Sequence, residues 1–231
     1  MVSARDLKLL YRADKLNDNT GIYGVVGNPV MHSLSPQIHN PGFQRIHYNA
    51  VYVPFLADSI RSFLSLAEML RMRGFSVTVP FKVDVLKYLG NITREGKLIG
   101  SCNTVVRVPN MWKGTNTDYY GFIHPIEKEI DDGKIKSALV IGAGGAAKAI
   151  VWALKMRNVR VMIVNRTKSK ADELARLYGV GSDSLDNISR YEGKVDLVVQ
   201  ATNMGLHPYE DVNPASSFHF SGKEIAYDIV Y

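Results

Sequence analysis

Ala138-Leu139-Val140-Ile141-Gly142-Ala143-Gly144-Gly145-Ala146-Ala147 is the stretch on which the reading of this chain turns. Its first four residues form an unbroken apolar run, as expected of a strand buried on both faces of a sheet. The remainder matches G-x-G-x-x-A and opens a helical stretch that reaches about Arg157. Gly142 permits the tight turn. Gly144 lets backbone approach a pyrophosphate, whose charge meets the N–H groups at the helix start, and Ala147 lets the helix pack closely on the strand. Ala143, Gly145 and Ala146 complete the small-residue cradle. In isolation the pattern is a turn of small residues; strand, glycine turn and helix in that order make it a dinucleotide-binding fingerprint.

Working outward, Val159–Val164 reads as the next strand and 168–178 as the next helix. A site for NAD carries an acid at the end of that second strand, where it binds the ribose hydroxyls. Here stand Asn165, Arg166 and Thr167, with Lys168 and Lys170 close behind. An acid would repel a 2′-phosphate, whereas a guanidinium stacks on adenine and pairs with phosphate. The cofactor expected is therefore NADP; the bland alternative is a solvated helix start. Val195–Gln200 and Ile225–Val230 supply two more strands. The segment 119–132 reads as a helix leading into this unit, ended by Asp131-Asp132-Gly133.

The N-terminal half alternates in the same way. Ile22–Val26, Val51–Val53, Phe75–Val79 and Asn103–Val108 read as strands. Ser35-Pro36 opens a helix, with Ser35 as N-cap and Pro36 in the first helical position. Further helices are expected at 58–73 and 83–89, and Lys113-Gly114-Thr115-Asn116 reads as a turn. Alternation of strands and helices predicts an α/β domain with a largely parallel sheet. Residues 1–20 are polar and read as a short helix and a turn outside that sheet.

The whole-chain properties agree. Its 231 residues allow one to two domains with sizeable cores. Hydrophobic content of 46% and charged content of 22% are those of an ordinary globular protein rather than a disordered one. The formal charge of +6 favours anionic ligands. The Lys/Arg clusters at 155–160 and 166–176 lack interleaved aromatics, so nucleic-acid binding is not expected. No apolar run is long enough to span a membrane, and the start has no signal-peptide core. Cys102 is the sole cysteine, which rules out an internal disulfide and suits a reducing compartment; the location expected is the cytoplasm, or a plastid or other compartment whose targeting segment has been removed. His32 and His39 lack a third ligand, so no metal site is expected.

Three polar stretches sit where strands of the first half end: His32-Ser33-Leu34-Ser35-Pro36, Thr78-Val79-Pro80-Phe81-Lys82 and Asn116-Thr117-Asp118. Open α/β sheets bind ligands beyond the C-terminal ends of their strands. On chemistry alone Lys82, Asp118 and the hydroxyls are candidates, while Lys82 reads equally as a surface lysine and Asp118 as a helix cap.

Taken together, GNPVMHSLSPQIHN (27–40), SVTVPFK (76–82), NTVV (103–106), NTDYYGF (116–122), GAGGAAKA (142–149), NRT (165–167), ATNMG (201–205) and YDIVY (227–231) closely resemble the shikimate dehydrogenase family, in family order over residues 21–231. The resemblance implies reversible NADPH-dependent reduction of 3-dehydroshikimate to shikimate, in aromatic amino-acid biosynthesis. It implies a substrate-binding catalytic domain at 21–120 and a Rossmann-like NADP-binding domain at 121–231, with the reaction in the cleft between them.

Carried onto this chain, the resemblance makes Lys82 and Asp118 the catalytic pair, and Ser33, Ser35, Thr78, Asn103 and Tyr231 substrate contacts. It places Asn203, Met204 and Ile229 beside the nicotinamide. Family members continue beyond the YDIVY-like strand, so the second domain is expected to be incomplete, stability reduced and activity weak or absent. Residues 1–20 resemble, chiefly through Leu10-Tyr11-Arg12, the linker after the dehydratase in bifunctional 3-dehydroquinate dehydratase–shikimate dehydrogenase enzymes, which implies fusion to or derivation from such a chain. Quinate dehydrogenase, an impaired fragment, or a non-catalytic ligand-binding module of the same fold remain alternatives.

Overall fold

The computed structural model describes residues 3–206 and 209–230. The chain divides into two compact units, Met1–Thr117 and Asp118–Tyr231. The first contains α1 (Ala4–Leu9), β1 (Gly21–Gly27), α2 (Ser35–Arg45), β2 (Ala50–Leu56), α3 (Ile60–Met69), β3 (Gly74–Val77), β4 (Asn91–Ile92), α4 (Arg94–Ile99), β5 (Thr104–Val108) and β6 (Met111–Thr115). The second contains α5 (Asp118–Ile123), α6 (Glu127–Asp131), β7 (Ser137–Ile141), α7 (Gly145–Met156), β8 (Arg160–Asn165), α8 (Lys168–Tyr178), β9 (Gly181–Ser184), β10 (Leu197–Gln200) and β11 (Ile225–Asp228). Among the described residues, no helix is long and apolar enough to cross a membrane.

The sheet of the second unit runs β11-β10-β7-β8-β9 and is parallel throughout. All five residues of β7 are buried. Alternation divides them between two cores: Ala138 and Val140 join one cluster, Leu139 and Ile141 the other. The first cluster takes Ile150, Val151 and Leu154 of α7; the second takes Ile188 and Phe218. Covering both faces in this way is what a parallel sheet demands of its sequence.

The sheet of the first unit runs β2-β1-β3-β5-β6-β4. Here β2, β1 and β3 are parallel, as expected, but β5 is antiparallel to both β3 and β6. The largely parallel expectation gives way to a mixed sheet because Lys113-Gly114-Thr115 is strand, not turn. The true turn lies at Pro109-Asn110, with Asn110 at φ +63°. Gly114 belongs inside β6 for lack of space: a Cβ there would stand 2.3 Å from Leu89 Cδ1 and 2.8 Å from Cys102 Sγ.

Other boundaries also move. The helix expected at 58–73 is shorter, with Ser59 Oγ capping it by accepting the Ser62 N–H (3.1 Å). Residues 84–88 form a 3-10 helix rather than an α-helix. Pro125 breaks the expected 119–132 helix, and 124–126 winds as a 3-10 turn between α5 and α6. β4, α4 and β9 carry too little apolar patterning to be read from sequence. Cys102 is buried, and Trp112 packs edge-on against Phe75 (5.1 Å between ring centres).

Asp196, just before β10, ties β10 to the start of β7. Its Oδ2 accepts from the Lys136 N–H (2.9 Å), the Ser137 N–H (2.9 Å) and the Ser137 hydroxyl (2.8 Å). Burial opposes its ionisation, but these hydrogen bonds prevail and hold the carboxyl below its ordinary value. Replacing Asp196 by Ala should cost about 2 kcal/mol in chemical denaturation at neutral pH. A depressed folded pKa gives stability that is full above the unfolded value near 3.8 and fades as pH falls through the lower folded one. The gap between the two proteins should therefore close on acidification; a gap independent of pH would locate the effect elsewhere.

Candidate active site

In the first unit the register brings several loops to one edge. The Thr78 N–H donates to the Val26 carbonyl (2.9 Å) and the Asn28 N–H to the Val79 carbonyl (2.9 Å), so the loops leaving β1 and β3 run side by side. Gly27 makes this approach possible, since a Cβ there would stand 2.3 Å from Thr78 Cγ2 and 2.9 Å from the Val79 carbonyl oxygen. Because β5 is antiparallel to β3, its beginning lies at the same edge, and the end of β6 returns there as well.

Ser33 and Ser35 occupy the loop after β1 and the start of α2. The helix begins at Ser35, with Leu34 as its N-cap and Pro36 buried behind it. The expected capping role of Ser35 is thus replaced: its own N–H donates to Ser33 Oγ (3.3 Å), and the Ser33 hydroxyl donates to Ser35 Oγ (3.1 Å). Leu34 adopts helical φ and ψ of −79° and −5°, so the two hydroxyls meet across a turn rather than along an extended loop. Both residues are half-buried. His32 is exposed instead of packed into the loop.

Thr78 and Lys82 are half-buried on the loop after β3. The Lys82 carbonyl accepts the Cys102 N–H (2.7 Å), which holds this loop against the segment entering β5. Asn103 is the hub of that segment. Its Oδ1 accepts from the Thr117 N–H (2.9 Å), the Thr117 hydroxyl (3.2 Å) and the Thr104 hydroxyl (2.9 Å), while its Nδ2 donates to Thr117 Oγ1 (3.0 Å). Its backbone carbonyl accepts the Val77 N–H (2.8 Å). Asn116 next door is buried and donates to the Ser101 carbonyl (3.1 Å) and hydroxyl (2.9 Å). Asp118 follows Thr117 directly and is the first residue of α5, half-buried. The parts of Thr117 and Asn116 in this frame were not read from sequence, though both sit inside the motif that flagged Asp118.

In the second unit the glycine turn has the form its sequence requires. Gly142 has φ +117°, and a Cβ there would lie 2.8 Å from the Ala201 carbonyl oxygen. Gly144 is the N-cap of α7, extended at φ −86° and ψ −171°, and the position of its missing Cβ has no atom within 4 Å. Ala143, Gly145 and Ala146 are half-buried and Ala147 fully buried. The first turn of α7 holds no acidic residue. An open face above Gly144 at a helix N-terminus fits a pyrophosphate.

At the end of β8, Asn165 Nδ2 donates to the Thr167 carbonyl (2.9 Å) and shapes the turn that leaves Arg166 exposed. Lys170 is exposed as well, whereas Lys168 is engaged with Asp172 (2.8 Å). These residues fit a 2′-phosphate. Asn203 and Met204 lie on the loop after β10, Asn203 exposed and Met204 half-buried. Ile229, just past β11, packs against the larger core cluster. Tyr231 lies outside the described residues.

Comparison with known proteins agrees with this architecture. Residues 25–105 match the family model described as shikimate dehydrogenase substrate binding domain, and residues 126–210 the model described as shikimate / quinate 5-dehydrogenase. The chain is 36% identical to the shikimate dehydrogenase (NADP(+)) of Caldanaerobacter subterraneus, over 94% of this chain and 80% of that protein. The crystal structure of shikimate dehydrogenase from Aquifex aeolicus superposes with a TM-score of 0.85 at 34% identity, over 94% of this chain and 81% of that one. The Thermus thermophilus shikimate 5-dehydrogenase, solved in complex with NADP(H) and shikimate, has a TM-score of 0.77 at 30% identity, over 92% and 79% of the two chains.

The two glycines of the turn should answer differently to the same substitution. Gly142→Ala is expected to destabilise the protein by about 1–3 kcal/mol, since it strains the backbone and meets the Ala201 carbonyl. Gly144→Ala, with space around it, should cost less, about 0.5–1 kcal/mol in denaturant titration, for the loss of a favourable N-cap residue. Equal losses at the two positions would contradict the turn described.

Proposed function

The chain belongs to the shikimate dehydrogenase family, and from that premise we propose that it interconverts 3-dehydroshikimate and shikimate with NADPH and NADP+ in aromatic amino-acid biosynthesis. The observation that most supports this reading is the meeting of the Ser33 and Ser35 hydroxyls (3.1 Å) on the same sheet edge as the loops carrying Thr78, Lys82 and Asn103.

NADPH, when bound, supplies the hydride. Gly142, Ala143, Gly144, Gly145 and Ala146 would take its pyrophosphate. Asn165, Arg166, Thr167 and Lys170 would take the 2′-phosphate and adenine. Asn203, Met204 and Ile229 would lie toward the nicotinamide. On the substrate side, paired hydroxyls suit a carboxylate: Ser33 and Ser35 can each turn a proton toward its oxygens without bringing a charge that must be desolvated. Thr78 and the Asn103 carboxamide offer further donors and acceptors to the ring hydroxyls. As the carbonyl is reduced its oxygen becomes an alkoxide, and Lys82 as an ammonium donates the proton that quenches it. In the oxidation direction the neutral amine of Lys82 takes the hydroxyl proton back. Asp118 would serve as the carboxylate of the pair, accepting from the substrate hydroxyl.

The direct test is shikimate oxidation by the full chain, followed through the absorbance of the reduced nicotinamide, with quinate run in parallel. Turnover should be NADP+-dependent and higher with shikimate; a preference for quinate would change the substrate reading. Lys82→Ala should lower kcat by about 10²- to 10⁴-fold, the usual worth of a positioned acid–base group, with NADP+ affinity unchanged. Arg166→Ala should raise the KM for NADP+ by about 10- to 100-fold, the scale of a charge-assisted phosphate contact, and that for NAD by much less, since NAD loses only the stacking on adenine. Unchanged turnover in the lysine variant would remove Lys82 from the mechanism.

A further inference from the structure

Gln200 ends β10, the strand between β7 and β11, and its side chain folds back over the loop that follows. Gln200 Oε1 accepts both the Thr202 N–H (2.6 Å) and the Thr202 hydroxyl (2.8 Å), while Nε2 donates to the Met204 carbonyl (2.8 Å). Thr202 Oγ1 closes the circuit by accepting the Met204 N–H (3.1 Å). One carboxamide therefore engages backbone groups two and four residues downstream, with an acceptor at one end and a donor at the other. A carboxylate lacks the donor and an aliphatic chain lacks both.

The anchor itself is held on both sides. Gln200 is in register with Ile141 of β7 and Asp228 of β11, and its carbonyl accepts the Ile229 N–H (3.3 Å). The loop it holds starts against the glycine turn: the Ala201 N–H donates to the Ile141 carbonyl (2.8 Å), and a Cβ on Gly142 would touch the Ala201 carbonyl oxygen at 2.8 Å. The Gln200 circuit thus sits at the C-terminal edge of the sheet, where α/β folds receive their ligands, beside the turn suited to a pyrophosphate.

We propose that Gln200 is a positioning residue, whose carboxamide locks the 201–204 loop in the conformation that presents Asn203 and Met204 to the nicotinamide half of the cofactor. The proposal rests on the dinucleotide reading given above. It acts through the loop: pre-ordering these backbone groups removes an entropic cost that binding would otherwise bear.

The test compares two ligands by calorimetry: NADP+, and adenosine 2′,5′-bisphosphate, which carries the adenine and 2′-phosphate but no nicotinamide. Gln200→Leu should weaken NADP+ about tenfold, the scale of a few lost hydrogen bonds, and leave the bisphosphate unchanged. Thr202→Val, which removes only the hydroxyl and keeps the shape, should shift NADP+ the same way by a smaller factor. Hydrogen exchange at the Met204 amide should accelerate in both variants. Equal weakening of both ligands, or of neither, overturns the proposal while the dinucleotide site stands. Failure of the unaltered chain to bind either ligand would overturn the dinucleotide reading and this proposal with it.

Discussion

A parallel strand must be covered on both faces, and the second unit is organised around that requirement at β7. Ala138 and Val140 face one core, Leu139 and Ile141 the other, and the neighbouring strands repeat the division: Leu197 and Val199 against Val198, Val161 and Ile163 against Val164. The end of β7 also lies close to the end of its neighbour β10: the chain leaves β7 through Gly142, where even a methyl group would meet the Ala201 carbonyl. The turn that packing demands also leaves the start of α7 open above Gly144, where a phosphate can lie.

The first unit reaches a similar end by another route. Its three parallel strands carry the loops of Ser33, Thr78 and Lys82 to one edge, but the antiparallel β5–β6 hairpin returns the chain to that edge twice more. Asn103, at one end of the hairpin, bonds with Thr117 at the other, and the chain passes straight on to Asp118. Polar side chains in such a position hold loops in place because each donor and acceptor is satisfied locally; an unsatisfied one would cost more than the bond is worth. The Gln200 circuit applies the same economy in the second unit.

Much of this was legible along the chain. The period of the apolar residues located β1, β7, β8, α7 and α8, and glycines and prolines punctuated them, because both signals are local. The missed elements are those in which local preference lost to packing. Gly114 reads as a turn residue, yet it is the one residue that fits between Leu89 and Cys102 in a strand. Gly181-Ser182-Asp183-Ser184 has no apolar pattern and is a strand only because β8 offers a free edge. Ser35 reads as an N-cap and becomes the first helical residue because the Ser33 hydroxyl takes its N–H.

From sequence alone come the two α/β halves, the glycine turn, the residues at its second strand that favour a 2′-phosphate, and the family whose ordered motifs the chain carries. Those rest on residue types and short spacings, which a linear reading can see. The meeting of Ser33 with Ser35, the Asn103–Thr117 bracket and the hold of Gln200 on its loop come only with the fold. Each depends on strand register and on which loops share an edge, quantities that emerge once distant segments are paired and that no local propensity encodes.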